Sequence, residues 1–200
     1  SMALFQTKGD LPAALEGLSP IEEIDFRMLR REFAEAVSTV DRTLGGSGGS
    51  RGERFELLRR QCDALRRLGR ESDARSASDV MTAIASEFES EAHPSRHYIR
   101  ALSDSRAGHA ASALQYMRQH THARTVAGEQ HLRWRAEMQY AALLAYVGQT
   151  PECVAQVGQL LREPSGLTVP MLKVDPAWDN VRDDVAFKAL LADPKNSAPL

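Results

Sequence analysis

The stretch Ala136–Leu161, AEMQYAALLAYVGQTPECVAQVGQLL, decides the fold. Two apolar helical runs meet at Gly148, with a small residue seven positions before it (Ala141) and five after it (Cys153). The same grammar returns further out. Gly108 lies between Ala101 and Ala113, and Gly69 between Cys62 and Ala74, at the same offsets; Gly9 has Ala14 five positions on. A helix that stops at a glycine and returns through a small residue is an αα-hairpin, because glycine takes the left-handed backbone that closes the first helix without a steric penalty. Repeated at intervals of 39 and 40 residues, the hairpin predicts an all-α, right-handed solenoid.

Helical periodicity fills in the elements. Phe55, Leu58, Cys62, Leu65 and Leu68 line one helix face at three–four spacing, and Ala74, Ala77, Met81, Ile84 and Phe88 line the next. Pro94 and Ser95 open a helix running to Ala107, whose partner is Ala110–Arg124. Thr125–Val147 is expected as one long helix, and Pro151 opens the last repeat helix, ending near Arg162.

Upstream, Ala3–Lys8 resembles the end of a first helix, and Pro12 sits in the first turn of the next. Ser19-Pro20 with Glu22 has capping-box spacing. Ile21, Ile24, Met28, Phe33, Val37, Val40 and Leu44 then predict one long helix, with a phase slip near Arg30–Arg31. Gly45–Ser50, GGSGGS, is a flexible tether that looks engineered rather than evolved, and Ser1-Met2-Ala3 looks like an expression scar. Residues 3–44 are thus either a repeat of the array or a partner segment held by the tether at millimolar effective concentration. The expected organisation is 1–44 as a partial repeat and long helix, 45–50 as linker, 51–163 as repeats and 164–200 as a C-terminal cap.

The totals bound function. A net charge of −2 gives the whole molecule no strong pull toward nucleic acid or anionic lipid. No apolar run is long enough to cross a bilayer, and no secretory signal pattern opens the chain. Cys62 and Cys153 both fall on the small-residue positions of the repeat, so they are expected as packed thiols in a reducing cytoplasm.

The glycine and small-residue register resembles a tetratricopeptide repeat array over about residues 52–163. Departures are Cys153 for the usual alanine, Asp104 in a usually aromatic or apolar slot, and His120 and Met81 where alanine is common. The tail sharpens the likeness. Pro164-Ser165-Gly166-Leu167, Asp175-Pro176-Ala177-Trp178-Asp179, Val181-Arg182, Phe187 and Leu190-Leu191 are similar to the end of C-terminal tetratricopeptide regions in multidomain bacterial signalling proteins. These are serine/threonine kinases, adenylyl-cyclase-like proteins and winged-helix regulators. Asn180 and Val185 stand where that pattern often has proline. The resemblance implies a regulatory, partner-binding module, non-catalytic and without a cofactor.

Offsets counted back from each turn glycine assign the groove wall of such an array. The candidate partner-binding residues are Arg59, Asp63, Arg66, Tyr98, Arg106, Arg135, Met138 and Tyr146. Tyrosine and arginine anchor protein interfaces, and arginine forks onto carboxylates, so the expected ligand is a protein or an extended peptide with some acidic character. A small-molecule or signalling-peptide sensor and a homo-oligomerisation module, such as a homodimer, are the alternatives. Arg51–Arg75 holds eight arginines against five acids but no interleaved aromatics for base stacking, so it is expected as a solvated face rather than a nucleic-acid site. His93/His97 and His120/His122 lack the further ligands that zinc needs. Ser103, Asp104 and His109 are close in sequence without a nucleophile elbow. No catalytic or metal residue is assigned.

Overall fold

The computed structural model describes residues 17–46, 49–128 and 130–196; these form α-helices and turns with no strand among them. The chain divides into two compact units, Ser1–Ala74 and Arg75–Leu200. The expected elements before Gly17 lie outside the described residues.

In the first unit, α1 (Pro20–Leu29) opens with the capping box read from the sequence. The Ser19 amide donates to the Glu22 carboxylate at 2.9 Å, and the Glu22 amide donates to Ser19 Oγ at 3.4 Å. The single long helix expected after Ser19 does not form. Arg31 takes φ 65°, and the amides of Arg31 and Glu32 donate to the carbonyls of Met28 (3.1 Å) and Arg27 (3.0 Å). This pair of bonds is a Schellman closure. The chain reverses there and starts α2 (Phe33–Gly45). The phase slip in the apolar pattern was this turn, disguised by an arginine where glycine is usual.

Helix α3 (Arg51–Arg67) begins with a second capping box, Ser50 with Glu53. The Gly/Ser stretch therefore contributes structure at both ends: Gly45 ends α2 and Ser50 caps α3. The three helices share a core of Ile24, Ala36, Val40 and Leu57, with Ile21, Met28 and Leu44 packed beside it. Full burial of each larger side chain is worth about 1.5–3 kcal/mol. Arg60 of α3 forks onto Asp25 of α1 at 2.6 and 2.9 Å, and buried Thr39 of α2 donates to Glu23 of α1 at 3.1 Å.

Helix α4 (Glu71–Ser90) begins in the first unit and continues into the second. The second unit continues with α5 (Arg96–Arg106), α6 (Ala110–Val126), α7 (Gln130–Tyr146) and α8 (Thr150–Leu160). Neighbours in this series pack consecutively from α5 to α8, and α5 also touches α7. The expected helix Thr125–Val147 is in fact two segments, because Gly128 at φ 75° breaks the chain between α6 and α7.

The hairpin register is now visible in four places. Arg31, Gly69, Gly108 and Gly148 all have left-handed backbone, at intervals of 38, 39 and 40 residues. After each, the next amide donates five residues back: Glu32 to Arg27, Arg70 to Leu65, His109 to Asp104 and Gln149 to Leu144, at 2.8–3.0 Å. The residues seven before and five after are Ile24 and Ala36, Cys62 and Ala74, Ala101 and Ala113, and Ala141 and Cys153. None is more than 1% exposed. At seven of these eight sites the side chain is alanine or cysteine, which lets the two helices of a hairpin approach closely; Ile24 is the larger exception.

The tail closes the last hairpin. It comprises α9 (Val169–Val174), a 3-10 turn (Pro176–Trp178) packed on α7, α10 (Val185–Ala192) packed on α8, and a second 3-10 turn (Pro194–Asn196). Trp178 stacks on Phe187 at 6.4 Å, and Leu172 and Val181 are buried beneath the tail. The Asn180 side-chain amide donates to the carbonyls of Ala145 (3.4 Å) and Tyr146 (3.3 Å) at the end of α7, bonds that proline at this position could not make. No helix among the described residues is long and apolar enough to cross a membrane.

Candidate functional site

The predicted residues separate into two groups. Arg59, Asp63 and Arg66 lie on α3 in the first unit. Three–four spacing puts them on one face of that helix, where they interact with their own chain. Arg59 Nε is 3.0 Å from Glu56 and Nη1 is 3.4 Å from Asp63, while Arg66 is 3.9 Å from Glu71. Burial pushes the Glu56 carboxyl upward, but the charges and hydrogen bonds of Arg59 and Arg60 outweigh it and hold Glu56 below the usual carboxylate range. The acid expected from a ligand at Arg59 is already supplied by the helix.

Tyr98, Arg106, Arg135, Met138 and Tyr146 belong to the second unit. Arg106 is 6% exposed, with its guanidinium carbon 4.1 Å from the Tyr146 ring centroid and Nη1 donating to Ser105 Oγ at 2.9 Å. It is a packing element between α5 and α7 rather than an open cation. Asp104, two residues earlier on α5, is also buried. It pairs with Arg100 at 2.8 Å and accepts from the Ser112 hydroxyl, which is how a carboxylate is tolerated in an apolar slot.

The remaining residues converge around a side chain that sequence reasoning dismissed. Tyr116, His120 and Arg124 follow one another at i, i+4 along α6 and so form a stripe. Next to Tyr116 stands His97 of α5, with ring centroids 6.1 Å apart, and the Arg100 guanidinium carbon lies 5.9 Å from the Tyr116 centroid. Arg100 is anchored by Glu89 at 3.1 Å. Burial, then the Glu89 charge and a hydrogen bond to Glu89, raise the Tyr116 hydroxyl above its ordinary value. Next to His120 stand Tyr98 of α5, with centroids 5.3 Å apart, and Gln139 of α7, which is hydrogen-bonded to the imidazole.

His120 is 8% exposed. Burial holds its pKa below the ordinary 6.5, helped by the charges of Arg124, His97 and Arg135, while the Gln139 bond acts in the opposite sense. Exposed Arg135 and half-buried Met138 lie one turn apart on α7, beside Gln139. The structure thus brings Tyr98 and Arg135 together around His120, while Arg106 and Tyr146 pair with each other. The spacing of Tyr116, His120 and Arg124 and the absence of any acid in α6 were the sequence signals for this stripe.

Two other features of the described residues bear on chemistry. Glu163 accepts from Arg133 and from the Trp134 indole, each at 2.8 Å, and from Gln159 at 3.2 Å, tying α7 to the turn after α8. In the first unit, a cavity of about 480 Å³ is lined by Ser19, Ile21, Leu44, Glu53 and Leu57 among others. Its carboxylate Glu53 is already committed to the Ser50 cap. No three His, Cys, Asp or Glu side chains among the described residues are grouped to hold a metal.

No family model, curated protein or solved structure matches this chain.

Proposed function

We propose that the chain is a tetratricopeptide-like, right-handed repeat scaffold that binds a protein or peptide without catalysing a reaction, as a cytoplasmic regulatory module of a larger signalling protein. The observation that carries this reading is the four-fold recurrence of one hairpin: left-handed turn residue, fully buried residues seven before and five after, small in all but Ile24, and the same five-residue closure. Contacts from α1 to α3 in the first unit and from α5 to α7 in the second support it, because first helices of successive hairpins line the inner wall of such an array. A wall of this kind offers side chains rather than free backbone, and tyrosine, arginine and methionine on α5 and α7 are the residue types that anchor peptides.

The test is a peptide array probed with the purified full chain, followed by titration of the hits. Saturable binding of a sequence-restricted subset is expected. If no peptide binds above background, and light scattering shows no self-association, the scaffold reading falls. Self-association without peptide binding would favour the dimerisation alternative.

A further inference from the structure

The charge of the second unit is unevenly distributed. From Ser105 to Ala136 the chain carries Arg106, Arg118, Arg124, Arg133 and Arg135 together with His109, His120, His122 and His131, against Glu129 as the only acid. Some of this charge is used internally: Arg106 under Tyr146, Arg133 on Glu163, and Arg118 donating to the Tyr140 hydroxyl at 3.1 Å. Arg124 and Arg135 have no carboxylate within ion-pair distance among the described residues. They sit on adjacent packed helices, α6 and α7, and both act on His120.

The stripe is therefore polarised. At its Tyr116 end, Glu89 and Asp104 balance Arg100. At its other end two arginines, a histidine and the Gln139 amide stand together with no anion among the described residues, beside the Tyr98 ring. Two guanidinium forks across neighbouring helices match carboxylates spaced along an extended chain. The adjoining Tyr98 ring suits the apolar side chains between them.

We propose that the surface formed by Tyr98, His120, Arg124, Arg135 and Gln139 is the docking site for an acidic peptide segment, with the two arginines taking its carboxylates. The proposal rests on the scaffold reading above and selects one surface within it. It removes the α3 arginines from the ligand contact, since Arg59 and Arg66 have acids of their own chain. It also makes binding responsive to acid. His120 is faced by His97 from α5, by Arg135 and Gln139 from α7 and by Arg124 on its own helix, with no acid among them, so protonation is disfavoured until an anion arrives. A bound carboxylate reverses that balance, and binding tightens as pH falls.

The experiment is fluorescence anisotropy of the full chain with a fluorescein-labelled peptide of alternating glutamate and leucine. Its glutamine-leucine counterpart and a single-stranded oligonucleotide serve as competitors. Arg124→Gln combined with Arg135→Gln is expected to raise Kd about tenfold or more, with unchanged circular dichroism, whereas Arg59→Gln combined with Arg66→Gln stays within about twofold. Moving from about pH 7.5 to about pH 5.5 should tighten binding several-fold, and His120→Gln should flatten that response.

The proposal is overturned if the Arg124/Arg135 double variant binds as the parent does. Equal competition by the glutamine peptide or by the oligonucleotide would also overturn it. If the loss follows Arg59 and Arg66 instead, or if only non-acidic peptides bind, this site falls while the scaffold reading stands. If no peptide binds, both fall.

Discussion

The guanidinium of Arg106 lies 4.1 Å from the ring centroid of Tyr146, joining the last turn of α5 to the last residue of α7. Stacking lets the arginine stay charged at 6% exposure, and the carbonyl of the same tyrosine accepts from Asn180 of the tail. One contact region therefore links two hairpins and the cap. Tyr146→Leu should cost about 1–2 kcal/mol in chemical denaturation, the value of a desolvated cation–π contact. Tyr146→Phe, which keeps the ring, should cost clearly less. Equal losses for the two variants would assign the effect to the hydroxyl instead.

The left-handed turns make a prediction of opposite signs. A Cβ added at Gly148 would meet nothing within 4 Å, so Gly148→Ala reports backbone strain alone. It should destabilise the chain by about 1 kcal/mol. Ala92 holds φ 50° at the equivalent closure of α4, where the His93 amide donates to Phe88 at 3.1 Å. Ala92→Gly relieves strain of about 1–2 kcal/mol but adds freedom to the unfolded chain, leaving a gain of about 0.5 kcal/mol. Melting curves of the two single variants check both signs.

The pH response of stability follows from two imidazoles, buried His120 and half-buried His97. The pKa values of His120 and His97 are both held below 6.5, chiefly by burial. The unfolded chain then binds more protons than the folded one once pH drops through that value. Their contribution is complete above about pH 6.5 and is lost progressively below it. A second loss begins below about 4.5. It comes from Glu163, held low by hydrogen bonds from Gln159 and Trp134, and from Glu23, where Arg27, Thr39 and Arg42 outweigh burial. Melting temperature should fall in two stages on acidification, and His120→Gln should reduce the first. A flat melting temperature between about pH 7.5 and about pH 5.5 would contradict this account.

The thiols should be inert. Cys62 and Cys153 occupy the close-contact positions of their hairpins at 0% exposure, and burial pushes the Cys153 thiol up to about 12. Iodoacetamide should modify neither residue in the folded chain, and labelling should proceed at the rate of unfolding. Rapid labelling of Cys153 under native conditions would show that the last hairpin opens locally.

The sequence alone determined the helical class, the hairpin register and the capping boxes at Ser19 and Ser50, because these depend on residues within a few positions of one another. Three glycines and their small neighbours were enough to locate turns that the backbone then formed. The fourth turn was hidden, since Arg31 carries none of the composition that marks a left-handed residue; its strain is offset by packing of α1 and α2 around Ile24 and Ala36. Gly128 was missed for the opposite reason, as a helical pattern continued across it.

The site depended on tertiary structure almost entirely. Arg59 was the legible case, since Glu56 and Asp63 stand three and four positions away on its own helix. Nothing local distinguishes Arg106 from Arg135, which sequence spacing placed on one wall: packing stacks the first on the Tyr146 ring and leaves the second exposed beside His120. Whether an arginine can reach a ligand is decided by which partners the fold brings within a few ångströms, a property of helix–helix contacts that no single stretch of chain encodes.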